Sequence, residues 1–519
     1  MSTATPNFSL MGAGMALAVS IYLFCITICF YTNSQRASSI PLVNITKRKR
    51  LWLPGYLSYL FNADEILRQA YNTYSKHGRT CQIPNNAFGT SIILPTKYMP
   101  WLLSQPPELL NFNEWVAQAS QARWTLGHSR YVNDESITQI QRVAIRAVVN
   151  TEIPQFQDEL EHSIGRVLGH DQETWKDIKP AQALKLVLLQ ASSRYIVGSP
   201  LCANKTFIRW ALIFIEIIFP LSEALRLVPS ILRPIAGYVL SIPRWIVVRK
   251  LENLLRPTFD ERLRALQSDD SSKVQPQDFL QQVMRLLYER NSPDLNIHFV
   301  TTHVLLFVLG AAFNTYMLAS HVLYDILASD AGYNTIAEIQ AELNSVFGDP
   351  DPQAKLHWTR REAEKLSKLD SILRECLRIN SLSSQSMPRK VMVSGLQTPD
   401  GYTLPKGATI ALLARAAQMD PDIYPDPERF IPFRHLGADG KRLVDTGPDF
   451  LPFGHGARSC PGRFLLAVEM KMLIAYILRH YELQLPVEYG GKQPDAVLFG
   501  EFRLPPQNGV IRVKRKKSP

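Results

Sequence analysis

The stretch of sequence that decides the fold is a glycine-rich loop around one cysteine. It reads Phe453-Gly454-His455-Gly456-Ala457-Arg458-Ser459-Cys460-Pro461-Gly462. An apolar run with helical spacing follows from Phe464 to about Leu478, so Cys460 lies just before a predicted helix. Because a helix N-terminus and free loop N–H groups stabilise a thiolate, the pattern predicts a lowered pKa for the Cys460 thiol.

Two glycines and an arginine in this loop favour a flat, anionic ligand beside the sulfur. Gly454 and Gly456 allow the backbone to approach a planar group closely and to adopt a positive φ. Arg458 lies two residues before Cys460 and can reach an anionic group at the ligand's edge. A thiolate surrounded by donors suits haem iron. The alternative for any single cysteine is a buried structural thiol in a tight turn.

The charge of this 519-residue chain is concentrated at two places. The formal net charge is +11, and two basic clusters, residues 47–50 and 512–517, carry most of it. The remainder is close to neutral and lacks a broad basic face, which argues against nucleic acid as a partner. The six cysteines form no CxxC pair, so neither a zinc site nor a disulfide framework is indicated.

The N-terminal segment predicts one membrane anchor. Residues 1–35 contain no Asp, Glu, Lys or Arg, and residues 8–31 are almost continuously apolar. A helix of that length spans about 36 Å, enough to cross a hydrocarbon core of about 30 Å. The basic residues that follow place the rest of the chain in the cytosol. A cleaved signal peptide is the alternative, but it needs a basic start and a shorter apolar core.

The rest of the chain predicts a mainly α fold with a minor β sheet. Most of residues 60–380 show helical apolar spacing, and strand-like pieces occur at 91–94, 391–393 and 409–413. No linker, low-complexity tract or repeat divides the chain, so residues 36–519 are predicted to form a single domain.

Two charged motifs lie upstream of the loop. Glu375 and Arg378 stand three residues apart in a strongly helical stretch, which places them on one helix face. Pro427-Glu428-Arg429-Phe430 follows inside a turn-rich segment. Taken alone, a pair such as Glu375 and Arg378 is usually a solvated surface ion pair.

The decapeptide resembles the haem-binding signature of the cytochrome P450 superfamily, F-x-x-G-x-R-x-C-x-G, and every fixed position is present. The resemblance covers residues 50–510 and implies the P450 fold with haem b as cofactor. It implies that Cys460 is the axial ligand of the iron, that Arg458 contacts a haem propionate, and that Phe453 packs near the sulfur. Arg389 lies where members often place a second propionate-binding arginine.

The resemblance also gives the two charged motifs a structural role. In the superfamily the Glu and Arg of an E-x-x-R helix form a buried triad with the arginine of a P-E-R-F motif. Carried over to this sequence, the triad is Glu375, Arg378 and Arg429. Three buried charges require well-satisfied hydrogen bonds, so removal of one should be severe.

A long helical pattern from about 293 to 327 departs from the family. Members carry A/G-G-x-D/E-T there, with an acid and a threonine that help to deliver protons. In one register of this sequence Asn314 replaces the acid and Thr315 is the threonine; in the other, Asn314 replaces the threonine and Phe313 the acid. Either way the carboxylate is missing, and Asn314 and Thr315 are the catalytic candidates. The alternative is that both only satisfy polar contacts inside a buried helix.

The resemblance implies a monooxygenase in the endoplasmic reticulum membrane, single-pass with a cytosolic catalytic domain. It would insert one atom of O2 into a small apolar substrate, with electrons from NADPH through cytochrome P450 reductase and with cytochrome b5 as a further possible donor. Similarity to fungal members indicates a secondary metabolite of terpenoid, polyketide or indole type. Two alternatives stay open: a haem-thiolate isomerase or dehydratase that acts on a peroxide without reductase, and a non-catalytic haem carrier or sensor.

Overall fold

The computed structural model describes residues 39–43, 52–85, 89–268, 275–348, 356–437 and 440–517. The predicted anchor at 1–35, with its spanning helix at 8–31, lies outside the described residues. So does the basic cluster at 47–50. The described chain is mainly helical with minor β sheet, as predicted.

The helices are numbered here in chain order. They are α1 Trp52–Thr73, α2 Met99–Ser104, α3 Phe112–Ala119, α4 Ala122–Thr125, α5 Arg130–Asn133, α6 Glu135–Thr151, α7 Ile153–Leu168, α8 Pro180–Val197, α9 Lys205–Leu227, α10 Arg233–Leu240, α11 Ile242–Gln267, α12 Phe279–Glu289, α13 Ile297–Val308, α14 Asn314–Tyr333, α15 Thr335–Phe347, α16 Arg360–Lys365, α17 Ser367–Ile379, α18 Ala414–Gln418 and α19 Arg463–His480. A π turn, Leu309–Phe313, joins α13 to α14.

The strands form three sheets. They are β1 Cys81–Asn85, β2 Gly89–Leu94, β3 Leu110–Asn111, β4 Lys176–Ile178, β5 Gln385–Val391, β6 Thr409–Leu413, β7 Tyr481–Gln484, β8 Val497–Phe499, β9 Phe502–Leu504 and β10 Ile511–Arg515. The sheet orders are β1-β2-β6-β5-β3, β4-β10-β7 and β8-β9. β2 and β6 pair in parallel, whereas β1 with β2 and β3 with β5 pair antiparallel.

Two of the three predicted strand positions are confirmed. The prediction for 409–413 coincides with β6, and 91–94 lies within β2. The prediction for 391–393 is wrong except at its first residue, because β5 ends at Val391. Pro388 and polar residues occupy the middle of β5, so this strand lacks the β-branched alternation that sequence analysis looks for.

The chain forms two compact units, each assembled from separate segments. The smaller contains residues 1–127, 219–242 and 388–412, and it holds most of the five-stranded sheet. The larger contains residues 128–218, 243–387 and 413–519, with most of the helices and the two smaller sheets. The single domain over 36–519 stays a prediction.

The α13–α14 helix is the central element of the larger unit. It begins at Ile297, four residues after the predicted start, because Asn296 accepts a hydrogen bond from Phe299 N (3.0 Å) as N-cap. The helix packs on α8, α15, α17 and α19. Among the described residues, it alone is long and apolar enough to cross a membrane. Most of it is buried within the protein, as in a core helix.

Candidate active site

The cysteine loop has the backbone that its glycines predict. Gly454 has φ +65° and Gly456 has φ +74°, a region that L side chains adopt only with strain. Cys460 N donates to Phe453 O at 2.8 Å, and Ser459 N donates to Gly456 O at 3.0 Å. These bonds fold the loop back on itself immediately before α19.

Arg463, at the start of α19, holds this loop in place by hydrogen bonds. This role of Arg463 was not predicted from the sequence. Its guanidinium donates to Cys460 O at 2.7 Å, to Ser459 Oγ at 3.2 Å and to Val444 O at 3.1 Å. An arginine directly after Cys-Pro-Gly was the available signal. Its three acceptors belong to two loop segments, so Arg463 fixes the position of the cysteine backbone.

Cys460 differs from the other cysteines of the described chain in its exposure. Its residue is exposed, whereas Cys81, Cys202 and Cys376 are buried. A structural thiol packed in a turn would not be exposed, so the observation favours an interaction site.

The predicted lowering of the Cys460 pKa is wrong as a net effect. Crowding of the sulfur by the loop, which keeps water away from it, raises the thiol pKa. The N–H groups of Gly462 and Arg463, and the charge of Arg463, act in the predicted direction but are outweighed.

Arg458 shares one carboxylate with a second arginine. Arg458 Nη2 lies 2.8 Å from Glu135 Oε2, and Arg142 Nη1 lies 3.5 Å from Glu135 Oε1. Burial and the neighbouring charge of Arg458 lower the pKa of Arg142. Two cations against one carboxylate leave positive charge beside the cysteine loop, which suits an anionic group. Arg142 was not predicted; its place in the first two turns of α6 gave no distinct signal.

The charged network behind the loop is present, with one correction. Glu375 and Arg378 form a fully buried bidentate pair with both N···O distances at 2.8 Å. The third cation is Arg434, whose Nε lies 3.0 Å from Glu375 Oε1, and His435 Nε2 lies 3.1 Å from the other carboxylate oxygen. Arg429 contributes only its backbone carbonyl, 3.3 Å from Arg378 Nη2.

The assignment of Arg429 to the triad was therefore wrong. The arginine whose side chain enters the network is Arg434, five residues further along the chain. Within the turn-rich segment, proline is followed two residues later by arginine twice, at Pro427-Glu428-Arg429 and at Pro432-Phe433-Arg434. The side chain of Arg429 is exposed and lies over the Tyr333 ring at 5.5 Å. The turn between the two copies directs only the second arginine inward.

Burial alone would raise the pKa of the Glu375 carboxyl. Hydrogen bonds from Arg378, His435 and Arg434, together with the charge of Arg378, outweigh burial and lower it to about 2. Glu375 is therefore ionised throughout the neutral range.

Gln418 connects this network to the cysteine loop. Its Nε2 donates to Arg378 O at 2.8 Å, and its Oε1 accepts from Leu451 N at 3.3 Å. Because Leu451 O in turn accepts from Gly454 N at 3.0 Å, the contacts run from α17 to the loop. The sequence analysis gave no signal for this role of Gln418.

Arg389 lies in the smaller unit, on β5. Its guanidinium carbon is 5.2 Å from the Phe112 ring centroid, and Nη1 donates to Pro388 O at 2.8 Å. The residue is buried. The role of Arg389 at a haem propionate stays a prediction.

The π turn lies at the predicted oxygen-activating position. Asn314, directly after it, is exposed, and Thr315 is 1% exposed. The two catalytic candidates therefore differ: the Asn314 amide faces open space, and the threonine hydroxyl packs inside the unit. π turns within α-helices are frequent at functional sites.

The family profile described as Cytochrome P450 matches residues 109–512, more than half of the chain. The chain is a cytochrome P450. The matched region contains the cysteine loop, the Glu375 network and the α13–α14 helix. The predicted family and enzyme class, a cytochrome P450 monooxygenase, are confirmed.

Fungal relatives match this P450 over almost the whole of its length. It is 31% identical over 513 residues to the cytochrome P450 monooxygenase pbrC of Penicillium brasilianum, covering 95% of each chain. It is 32% identical over 500 residues to the cytochrome P450 monooxygenase tenB of Beauveria bassiana, covering 92% of each. A third relative is the cytochrome P450 monooxygenase astC of Aspergillus terreus, 29% identical over 538 residues.

The residues of the loop fit the haem that the family implies. Cys460 is an exposed residue of the loop, Gly454 and Gly456 carry no side chain that would block a planar group, and Arg458 with Arg142 supplies positive charge. A thiolate ligand and cations for the propionates are the donors that such a cofactor needs.

Proposed function

We propose that this P450 inserts one atom of O2 into an apolar organic substrate, a fungal secondary metabolite of terpenoid, polyketide or indole type. The exposed residue Cys460, in a loop fixed by Arg463, carries the proposal. The fungal relatives support the proposed reaction, because each is named as a cytochrome P450 monooxygenase.

Each residue of the loop has a separate task in this proposal. Cys460 ligates the iron, and the nearby N–H groups stabilise its negative charge. Arg458 and Arg142 bind the propionates, for which they would exchange part of their contact with Glu135. Phe453 flanks the cysteine and, with Gly454 and Gly456, shapes the loop face. The haem supplies oxygen activation once it is bound.

The electrons are proposed to come from NADPH through cytochrome P450 reductase, with cytochrome b5 as a second donor. This chain itself binds no NADPH in the proposal. The endoplasmic reticulum membrane is the proposed location, with the uncharged segment at 8–31 as its anchor and the catalytic part in the cytosol.

A surface of the smaller unit supports the membrane proposal. Ile231, which lies just before helix α10, and Ile235 on that helix are 73% and 74% exposed. Tyr238 and Val239 on α10 are also exposed. An apolar cluster of this kind is unfavourable in water and favourable against lipid. Resistance of the full chain to carbonate extraction from microsomes, lost on deletion of residues 1–35, is the expected result.

Turnover under labelled oxygen tests the activity. The full chain, reconstituted in membranes with a fungal reductase and NADPH, would be offered terpenoid, polyketide and indole scaffolds under isotopically labelled O2. One labelled oxygen atom in a product, absent for Cys460→Ser, is expected. A normal thiolate spectrum with labelled oxygen in none of the products would contradict the proposal.

One observation favours a second candidate, a peroxide-using isomerase or dehydratase. The exposed group after the π turn is the amide of Asn314, which cannot ionise as the usual carboxylate does. Rearrangement of a hydroperoxide in the absence of reductase, combined with no NADPH-dependent turnover, would select this candidate.

A further inference from the structure

The α13–α14 helix has one open stripe in an otherwise buried length. Between Phe299 and Ile326 every residue is buried except five. These are Leu306, Leu309, Gly310, Phe313 and Asn314. Their spacing of i, i+3, i+4, i+7 and i+8 places them on one face over about 12 Å of helix. Buried residues continue beyond both ends of the stripe, so the exposure is confined to these five positions.

Four of the five positions offer only apolar contact or no side chain at all. A Cβ built on Gly310 would meet no atom within 4 Å, so this position leaves real room in front of the helix. Asn314, one turn further on, is the single polar side chain of the stripe. No ionisable group is present on this face.

The Asn314 amide is available to a ligand. Among the residues that the structure describes, none hydrogen-bonds its side chain. An amide both donates and accepts hydrogen bonds, and it keeps the same charge across the working pH range. In an apolar surrounding, a hydrogen bond from the amide to a ligand oxygen strengthens binding of that ligand. An otherwise similar ligand that lacks the oxygen leaves the amide unpaired and binds more weakly.

We propose that Asn314 positions the substrate by hydrogen-bonding a hydroxyl or carbonyl oxygen on an otherwise apolar scaffold, with Gly310 leaving space for the adjoining carbon skeleton. Thr315 does not take part, because its side chain is buried away from the stripe. The inference deepens the proposed monooxygenase function and rests on it. It narrows the substrate class to molecules that already carry one oxygen function.

Ligand binding tests this without turnover. The haem-loaded full chain in lipid nanodiscs would be titrated with adamantane, 1-adamantanol and 2-adamantanone, which share one rigid skeleton, and followed by difference spectra. We expect the oxygenated probes to bind about tenfold more tightly than adamantane. Asn314→Leu should remove this preference and leave adamantane binding equal or tighter.

A matched control distinguishes the effect of losing the Asn314 amide from the effect of a general change in the helix. Ser320→Ala removes a polar group from the same helix, but Ser320 is buried and donates to Tyr316 O, so the oxygen preference should persist. 4-Phenylimidazole, which binds iron directly, would report whether each variant keeps an accessible haem. A preference that survives Asn314→Leu overturns the inference, as does failure of all three adamantyl probes while 4-phenylimidazole binds.

The reduced carbon monoxide spectrum of the wild type distinguishes the two levels of the proposal. Absence of its thiolate signal would overturn the proposed function and this inference together. A normal thiolate signal with no oxygen preference would overturn the inference alone.

Discussion

The cysteine loop and the open stripe of the α13–α14 helix are built in opposite ways. The loop matches the family signature at every fixed position and is held by hydrogen bonds from Arg463 and within its own backbone. Gln418 accepts a further hydrogen bond from Leu451 N, two residues before the loop. The helix that carries the stripe lacks the family's acid, and the one polar side chain of the stripe has no partner among the described residues. The cysteine loop therefore satisfies its polar groups by contacts within the protein. The stripe, which we propose contacts the substrate, leaves its one polar side chain without such a contact.

The largest expected effect concerns the loop. Cys460→Ser should abolish the thiolate-type spectrum of the reduced carbon monoxide complex, because a serine hydroxyl is not a thiolate ligand. Cys202→Ser, at a buried cysteine of the same unit, should retain it. If the spectrum survived in Cys460→Ser, Cys460 would not be the ligand of the iron, and the loop would not be the cofactor-binding region in this comparison.

The second prediction tests the corrected charge network. Removing one partner from a buried ion pair costs about 3–5 kcal/mol, so Arg434→Ala should strongly destabilise the larger unit. Arg429→Ala should cost less than about 1 kcal/mol, because the Arg429 side chain is exposed. Urea unfolding followed through haem absorbance measures both. Equal losses for the two variants would contradict the assignment of Arg434.

The third prediction compares two buried carboxyls behind the loop. The pKa of Glu375 is lowered to about 2, despite burial, by its hydrogen bonds from Arg378 and His435. Its stabilising contribution is present at neutral pH and is lost as pH falls from about 4.5 to about 2. Burial raises the pKa of Glu469 to about 7, with Tyr195 as its hydrogen-bond partner. Its contribution is present below about pH 4.5 and is lost as pH rises to about 7.

Each of these contributions amounts to about 3 kcal/mol. Unfolding free energies across pH 3–8 should therefore show that Glu375→Gln flattens the acid limb and Glu469→Gln flattens the limb between about pH 4.5 and 7. The same pH profile for both variants would show that the hydrogen-bond partners do not control these groups.

The smallest expected effects come from one glycine in each region. Gly454→Ala should destabilise by about 1–2 kcal/mol, because φ +65° is strained for any L side chain. Gly310→Ala should stabilise by up to about 1 kcal/mol, because this glycine is helical and a Cβ there meets open space. Thermal unfolding of the two variants should move in opposite directions. A destabilising Gly310→Ala would show that the face in front of the helix is not open.

Local motifs were predictable because their conformation and contacts depend on residues that are close together in the sequence. The loop glycines adopt the predicted positive φ, and Glu375 and Arg378 pair as their helical spacing requires. The start of α13 was misplaced by four residues because Ser292 and Asn296 both suit an N-cap. In the fold Ser292 Oγ instead accepts from Asp294 N within a turn.

By itself, the sequence determined the family, the glycine-rich cysteine loop and the helical class, because these depend on residue types at short fixed spacings. Only the tertiary structure decided which of two equivalent arginines enters the Glu375 network, and that Asn314 faces open space while Thr315 is buried. Both outcomes depend on how a chain segment turns relative to elements far away in sequence. A one-residue rotation of a helix or a five-residue shift of a turn leaves the local pattern unchanged, yet it changes which side chain meets the site.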